Sequence, residues 1–158
     1  RVPAENEFGS DYIDAPDLQE IGVRLVRDKL PDLDDGEMII DYRWRAKGGT
    51  SGGNVILGKC VKLSGLARHY ALGAHFCIWL AADHCGARGF TEQQIEGCLY
   101  HELQHIVREE PEDVDKPPIY RTRGHDVELF LKDLSEYGAY KANLSLLVDV
   151  VRQLPLAL

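Results

Sequence analysis

Two histidines and a glutamate in one short segment are the residues of this sequence best suited to chemistry. His101, Glu102 and His105 stand in CLYHELQHIVREE, residues 98–110. Residues three and four apart lie on one face of a helix, so the two histidines can present their imidazoles to a common point. Zinc accepts neutral histidine nitrogens at ~2.0–2.1 Å. The spacing therefore predicts that His101 and His105 bind a metal ion, and the alternative is a helix with two histidines and no metal.

Glu102 has a different predicted role, because it lies too close to the histidines along the helix to be a natural third ligand. It can reach a water bound to the metal, which is where a general base belongs. HELQH is the H-E-x-x-H pattern associated with zinc peptidases. The sequence therefore predicts zinc-dependent hydrolysis of peptide bonds, in which zinc activates a water and Glu102 takes its proton.

A catalytic zinc needs a third protein ligand and keeps one position open for water. The metzincin arrangement is excluded, because Arg108 and Pro111 stand where glycine and histidine would be required. A thermolysin-like arrangement would use Glu128, but Lys132 stands where its partner aspartate belongs. His125, in the segment RGHDVELF, is therefore the predicted third ligand. Glu128 is the alternative ligand, and a His125 that only caps a helix or lies exposed is the alternative without a metal.

The segments that precede the motif have the patterns of one helix and three strands. A helix is predicted over 15–30, where apolar residues recur at helical spacing until Pro31 ends the pattern. Strands are predicted over 37–46, 54–63 and 74–82, and the last is almost continuously apolar and therefore buried. The glycine-rich residues 47–53 are predicted to be the hairpin loop between the first two strands. They fail the phosphate-binding pattern GxxxxGK[ST], because Asn54 stands in the lysine position.

The motif itself lies on a helix predicted to begin after Thr91 and to run to about Glu110. Thr91 and Gln94 have the spacing of a capping box. An acidic, proline-containing loop is predicted over 111–120. Candidate stabilisers of the transition state stand just before His125: Tyr120, Arg121 and Arg123. The preferred prediction is that these three residues are solvated loop residues.

Two further helices are predicted downstream of this loop. The first follows Gly124, is opened by His125, and carries its apolar residues on one face: Val127, Phe130, Leu131, Leu134 and Tyr137. The second covers 143–152, and its apolar residues are predicted to close the core in preference to meeting a second subunit. The order of helices and strands predicts an α+β fold, in which helices pack on one small sheet.

Composition and charge limit the classes of function. The chain has 158 residues and a net charge of -8. Its length predicts a single domain, over 15–158, and the polar residues 1–14 are predicted to form an N-terminal arm. The acidic charge argues against a non-specific grip on nucleic acid. No apolar run approaches the ~18 residues that cross a bilayer. The four cysteines form no CxxC pair, so free thiols in a reducing cytoplasm are predicted.

HELQH followed by GHDVELFLKDLSEYG resembles the minimal zinc peptidases of the SprT and Spartan type. The sequence is more similar to the putative phage metallopeptidase family, on VILGK at 55–59, on HELQH, and on HDVELF with the later Tyr-Gly. This resemblance spans roughly residues 17–140. It implies a zincin-like fold with the motif helix at its centre, zinc ligands His101, His105 and His125, and a catalytic Glu102. It also implies a phage- or prophage-encoded protein that acts in the cytoplasm of a bacterial host on protein or peptide substrates.

Two other functions remain as alternatives at the level of sequence. In the first, the same histidines hold zinc in a non-catalytic module that binds a protein partner, and Glu102 argues against it. In the second, the chain is a DNA-associated protease of the SprT kind, which the acidic charge disfavours. For the peptidase, the strand near 74–82 is predicted to be an edge strand that holds an extended substrate by strand addition.

Overall fold

A mixed sheet with helices packed on it forms the core of this α+β protein. The computed structural model describes residues 1–127, 130–139 and 142–154, without the side chains of residues 133, 134 and 144. The helices within these residues are α1 (Pro16–Lys29), α2 (Gly65–Tyr70), α3 (Ala82–Ala87), α4 (Glu92–Leu103), α5 (Leu131–Tyr137) and α6 (Ala142–Gln153). The strands are β1 (Tyr12–Asp14), β2 (Ile40–Arg45), β3 (Thr50–Ser51), β4 (Asn54–Val55), β5 (Gly58–Lys62), β6 (Phe76–Ala81), β7 (Ile106–Glu109) and β8 (Ile119–Thr122).

The main sheet has the strand order β1-β2-β6-β5. β2 and β6 are parallel, whereas β1 with β2 and β5 with β6 are antiparallel. The strands predicted over 37–46 and 74–82 are confirmed as β2 and β6, whereas the strand predicted over 54–63 is split into β4 and β5. Two details of the predicted arrangement are also wrong. β2 and β5 are not hairpin neighbours, because β6 lies between them, and the glycine-rich connection instead folds into its own small hairpin of β3 and β4. The strand near 74–82 is therefore central in the sheet and not an edge strand.

One face of the sheet carries the core and receives both α1 and α4. Residues that pair across neighbouring strands share a face, and Tyr42 pairs with Ile78, which in turn pairs with Cys60. Gly22 of α1 abuts the Tyr42 ring, and Gly58 of β5 abuts α4. The fully buried side chains on or against this face are Leu18, Leu25, Trp44, Phe76, Ile78, Leu80, Leu99 and Leu103. Since β6 contributes three of them, its nearly continuous apolar run is explained by a central, buried position.

The close contact between α1 and β2 predicts opposite effects of alanine at two helical glycines. A Cβ at Gly22 would lie 2.4 Å from Cζ and from the hydroxyl oxygen of the buried Tyr42, whereas a Cβ at Gly97 in α4 would meet nothing within 4 Å. Gly22→Ala is expected to lower the free energy of unfolding by about 1–3 kcal/mol through overpacking. Gly97→Ala is expected to raise it by up to about 1 kcal/mol through helix propensity. Urea denaturation measures both values, and a Gly22→Ala protein as stable as the parent would contradict this packing.

The helix that carries the motif begins as predicted and ends earlier than predicted. Thr91 and Gln94 form the capping box, since the Gln94 N–H donates to Thr91 Oγ1 at 3.2 Å and the Thr91 N–H donates to Gln94 Oε1 at 2.8 Å. The prediction of a helix to Glu110 is wrong, because α4 ends at Leu103. The following residues form β7, which pairs antiparallel with β8.

The predicted acidic loop over 111–120 is partly wrong for the same reason. Its last residues, Ile119 and Tyr120, belong to β8, and the loop between the two strands covers residues 110–118. Tyr120 is buried and is not a solvated loop residue, whereas Arg121 and Arg123 are exposed. A β-hairpin therefore follows the histidine motif directly.

Residues Arg1–Arg123 and Gly124–Leu158 form two compact units. In the second unit, the helix predicted from Gly124 begins only at Leu131, so His125 lies in an irregular segment and does not open a helix. The apolar face predicted for this helix is not buried, since Phe130, Leu131 and Tyr137 are exposed. The side chain of Leu134 lies outside the described residues.

The last predicted helix is confirmed as α6. Of the apolar residues predicted to close the core, Leu146, Val150 and Val151 are each more than half exposed, and Leu147 is half-buried. Among the residues that the structure describes, no helix combines the length and the apolar character needed to cross a membrane. The assignment of 1–14 to an arm and of 15–158 to one domain stays a prediction.

Candidate active site

His101 and Glu102 lie in the last turn of α4, and His105 lies in the turn that follows the helix. The chain keeps helical spacing there, because the Gln104 N–H donates to the Tyr100 carbonyl at 3.2 Å and the His105 N–H donates to the Glu102 carbonyl at 3.2 Å. As a result, the rings of His101 and His105 stand edge to face with centroids 5.2 Å apart. The two imidazoles therefore lie close together, as the spacing predicts, although α4 ends before His105.

The ring of His105 is oriented by the strand that returns toward the motif. Its Nδ1 lies 2.8 Å from the carbonyl oxygen of Arg123, and the Arg123 N–H donates to the His105 carbonyl at 2.8 Å. Because a carbonyl can only accept a hydrogen bond, Nδ1 carries the proton, and in a neutral ring the lone pair is then on Nε2. This is the arrangement by which proteins orient a metal-binding histidine through its other nitrogen.

Three histidines bring ligand atoms together in the structure. One such atom from each of His101, His105 and His125 lies within 4.8 Å of the others. We refer to these residues as the histidine trio. Neutral imidazole nitrogens are ligands that zinc and other first-row divalent metals accept. Glu128, the alternative third ligand, lies outside the described residues.

Glu102 is the buried acidic residue of this region, with 7% of its surface exposed. Its carboxylate accepts a hydrogen bond from the backbone N–H of Cys60 in β5, and Oε2 lies 3.9 Å from His105 Nε2. Burial raises the pKa of Glu102, and this effect outweighs the opposite effects of His105 and the Cys60 N–H. The result is a carboxylate that is a stronger base than an exposed glutamate.

Gly58 allows β5 to approach Glu102 closely. A Cβ at Gly58 would lie 2.7 Å from Leu80 Cδ2 and 3.3 Å from Glu102 Cγ. A side chain at this position would therefore press on both the core and the candidate base. No local pattern in the sequence indicates this role of Gly58, although the glycine stands in the VILGK segment that resembles the phage family.

β5 is an edge strand of the main sheet, and Glu102 lies beside it. The Ala81 N–H donates to the Leu57 carbonyl and the Leu63 N–H to the His75 carbonyl, both at 2.8 Å. Bonded and non-bonded pairs alternate along an antiparallel ladder, so the backbone groups of Gly58, Cys60 and Lys62 point away from β6. This corrects the expectation that the strand near 74–82 provides an edge for substrate.

Asp35 joins both strands of the hairpin that follows the motif. Its carboxylate accepts hydrogen bonds from Arg108 Nε at 2.8 Å in β7 and from the Tyr120 hydroxyl in β8. The backbone N–H groups of Glu37 and Met38 also donate to it, at 2.9 and 2.8 Å. Only 8% of the Asp35 side chain is exposed. Asp35 therefore fixes the hairpin that connects His105 with Arg123, and the only local feature that marks it in the sequence is an acidic turn, DLDDGE.

The pKa of Asp35 predicts how stability depends on pH. Burial raises this pKa, but the hydrogen bonds from Tyr120, Met38, Glu37 and Arg108 outweigh burial and hold it well below its ordinary value. A carboxyl whose pKa is lower in the folded state stabilises the fold fully above its unfolded pKa of ~3.9 and loses this contribution as the pH falls below it.

Asp35→Asn is therefore expected to lower the free energy of unfolding at neutral pH by about 2–3 kcal/mol, because buried hydrogen bonds to a charged group are lost. The variant is also expected to lose less stability than the parent between about pH 5 and pH 3. Urea denaturation over this range measures both effects. Asp34→Asn, at an exposed neighbour, is the control and should change stability by less than about 0.5 kcal/mol. Parallel pH profiles for the Asp35→Asn variant and the parent would contradict the role of Asp35.

Comparison with known proteins gives one match. The model of a family described as putative phage metallopeptidase matches residues 10–154. The matched range contains the histidine trio, Glu102 and Asp35. No curated protein and no solved structure matches the chain.

Proposed function

The chain belongs to the putative phage metallopeptidase family, and on that premise we propose that it is a zinc-dependent peptidase with a zincin-like fold. The proposed zinc ligands are His101, His105 and His125, and Glu102 is the proposed general base. The observation that carries the proposal is the histidine trio, whose ligand atoms lie within 4.8 Å of one another, next to a buried carboxylate.

The donor set of the trio suits zinc. Three neutral imidazoles with one position left for water make up a common form of catalytic zinc site. His105 is prepared for this role, because the Arg123 carbonyl holds its Nδ1 proton and leaves the lone pair on Nε2. When bound there, zinc supplies Lewis acidity, which lowers the pKa of water and polarises a substrate carbonyl.

Glu102 contributes the proton transfers. A carboxylate oxygen of Glu102 takes a proton from the attacking water and later delivers it to the leaving amine. Its raised pKa, caused first by burial, brings it closer to the neutral range in which a general base is most effective. The hydrogen bond from the Cys60 N–H fixes the carboxylate in place, so little reorganisation is needed during the reaction.

β5 provides the surface on which an extended peptide can lie. The outward-facing backbone groups of Gly58 and Lys62 flank Cys60, whose N–H is taken by Glu102. A peptide added beside β5 would form main-chain hydrogen bonds with these groups, as in other cases of strand addition. This arrangement places the peptide backbone next to the proposed base.

Glu102 also favours a peptidase over a non-catalytic zinc module. A structural zinc site is usually closed by a fourth side-chain ligand, and within the described part of the chain no fourth histidine, cysteine or acidic residue joins the trio. A module of that kind has no use for a buried carboxylate whose pKa is raised. The net charge of -8 remains unfavourable to a DNA-associated protease.

The proposal is tested by metal analysis together with a cleavage assay. The purified protein is expected to contain about one zinc per chain and to cleave casein or a broad peptide library. Chelation by 1,10-phenanthroline should stop cleavage, and added zinc should restore it, while circular dichroism shows that the chelated protein stays folded. Zinc binding without cleavage of any peptide would support the non-catalytic module, and cleavage that resists the chelator would refute a metal mechanism.

A further inference from the structure

A cleft of about 620 Å³ lies at the end of β5. Lys62, Arg68 and Tyr120 line it together with an apolar group of residues: Ile39, Leu63, Pro117, Pro118 and Ile119. Tyr120 is fixed by its hydrogen bond to Asp35 and by an edge-to-face contact with His75, at 4.7 Å between ring centroids. The hairpin of β7 and β8 therefore forms one wall of the cleft, and the end of β5 forms another wall.

The cleft lies two residues along β5 from Cys60, the residue that contacts the proposed base Glu102. Gly58, Cys60 and Lys62 share the face of the sheet on which α4 packs, because alternate residues of a strand point to the same side. The backbone N–H of Cys60 donates a hydrogen bond to the Glu102 carboxylate, and Lys62 lines the cleft. Two residues of strand span roughly 7 Å. A peptide extended along β5 would therefore place the side chain two residues from its scissile bond in the cleft.

The charge of the cleft is positive in a chain that is acidic overall. Within the residues that the structure describes, neither Lys62 nor Arg68 forms an ion pair with an acidic side chain. Arg68 is held in place, since Nε donates to the Gly73 carbonyl at 3.1 Å and a terminal nitrogen lies 2.8 Å from His75 Nε2. Glu37 is the acidic residue of the cleft. The cleft is thus lined by two positive charges and one negative charge, and a carboxylate of a bound peptide would neutralise the excess positive charge.

On the basis of the proposed function, we infer that this cleft is a substrate subsite for an acidic side chain, aspartate or glutamate, two residues from the scissile bond. Lys62 and Arg68 bind the carboxylate, and the apolar wall packs against the methylene groups that carry it. Specificity of the peptidase then resides in a charge that the sequence alone does not indicate, because Lys62 and Arg68 lie on different elements.

The test is the capture of peptides by zinc-loaded protein that carries Glu102→Gln. The probe is a random decapeptide library with acetylated and amidated ends, so that every carboxylate belongs to a side chain. Mass spectrometry of the captured peptides is expected to show about fivefold enrichment of aspartate and glutamate at one position. The parent protein should cleave the captured peptides two residues from that position.

Three variants in the same Glu102→Gln background connect the enrichment to the cleft. Arg68→Glu should reverse the preference toward lysine and arginine, and Lys62→Gln should reduce it. Lys59→Gln is the matched control, because Lys59 is exposed on the opposite face of β5 and its replacement changes the net charge equally. Circular dichroism should show the same fold for all of them.

Each outcome decides between the subsite and the proposed function. Captured peptides without acidic enrichment, or an enrichment that survives Arg68→Glu or falls equally with Lys59→Gln, would overturn the subsite. Cleavage by the parent protein without any charge preference would overturn the subsite and leave the peptidase intact. Acidic enrichment without cleavage by the parent would support binding of carboxylates in the cleft and overturn the proposed hydrolysis.

Discussion

Replacement of Glu102 by glutamine is expected to lower the turnover number for peptide cleavage by at least ~100-fold, because the amide cannot take the proton from water. Glutamine has nearly the same shape and keeps an oxygen that can accept the hydrogen bond from the Cys60 N–H. Zinc content, fold and peptide affinity should therefore be unchanged. Steady-state kinetics on a cleaved peptide and metal analysis of the same preparation measure these quantities.

Glu96→Gln is the matched control for this prediction. Glu96 lies on the same helix as Glu102 and pairs with Arg24 at 3.1 Å near the surface. Its replacement should cost no more than about 1 kcal/mol of stability and leave turnover at the level of the parent. Turnover that persists in the Glu102→Gln protein would refute the assignment of the base, whatever the metal content.

Local patterns in the sequence correctly predict the elements whose structure depends on neighbouring residues. The helix over 15–30 and the start of α4 depend on neighbouring residues, namely an apolar stripe ended by Pro31 and the capping box of Thr91 and Gln94. The buried run at 74–82 was likewise recognisable as a strand. Hydrophobic periodicity and capping act within a few residues, and a single sequence displays them fully.

The errors concern contacts between residues that are distant in the chain. β6 enters the sheet between β2 and β5, and no local pattern encodes that insertion. Helix α4 ends early because the residues after it pair with β8. The prediction of a solvated Tyr120 is wrong because its partner, Asp35, stands 85 positions away in the chain. In each case a long-range contact overrode the preference of the local segment.

The same distinction holds within the candidate site. The spacing of His101, Glu102 and His105 was sufficient to suggest their chemistry, because one turn of chain places them. The surroundings that tune this chemistry come from elsewhere: the Cys60 N–H and the close approach of Gly58 from β5, and the Arg123 carbonyl from the end of the hairpin. A motif thus suggests candidate groups, whereas the pKa of a candidate base and the tautomer of a candidate ligand depend on the fold.

Replacement of His125 by alanine is expected to weaken zinc binding roughly 100-fold, because one of three proposed ligands is removed and each contributes on the order of 3 kcal/mol. His105→Ala should weaken zinc binding at least as much, since it also removes the ring that the Arg123 carbonyl orients. Both proteins should lose zinc on dialysis and lose peptide cleavage. Titration against a zinc-binding dye measures the affinity, and mass spectrometry under native conditions measures the stoichiometry.

His69→Ala and Glu128→Gln make this prediction specific to His125. His69 lies in α2 outside the trio, so its replacement should leave zinc affinity unchanged. If Glu128 were the third ligand, Glu128→Gln would release zinc and His125→Ala would keep it, and the proposed ligand set would then be wrong. Weak binding in the His125→Ala protein with normal binding in the other two would assign the third position to an imidazole. The ion would then be held by neutral donors alone, so that it keeps its full double positive charge to acidify water beside Glu102.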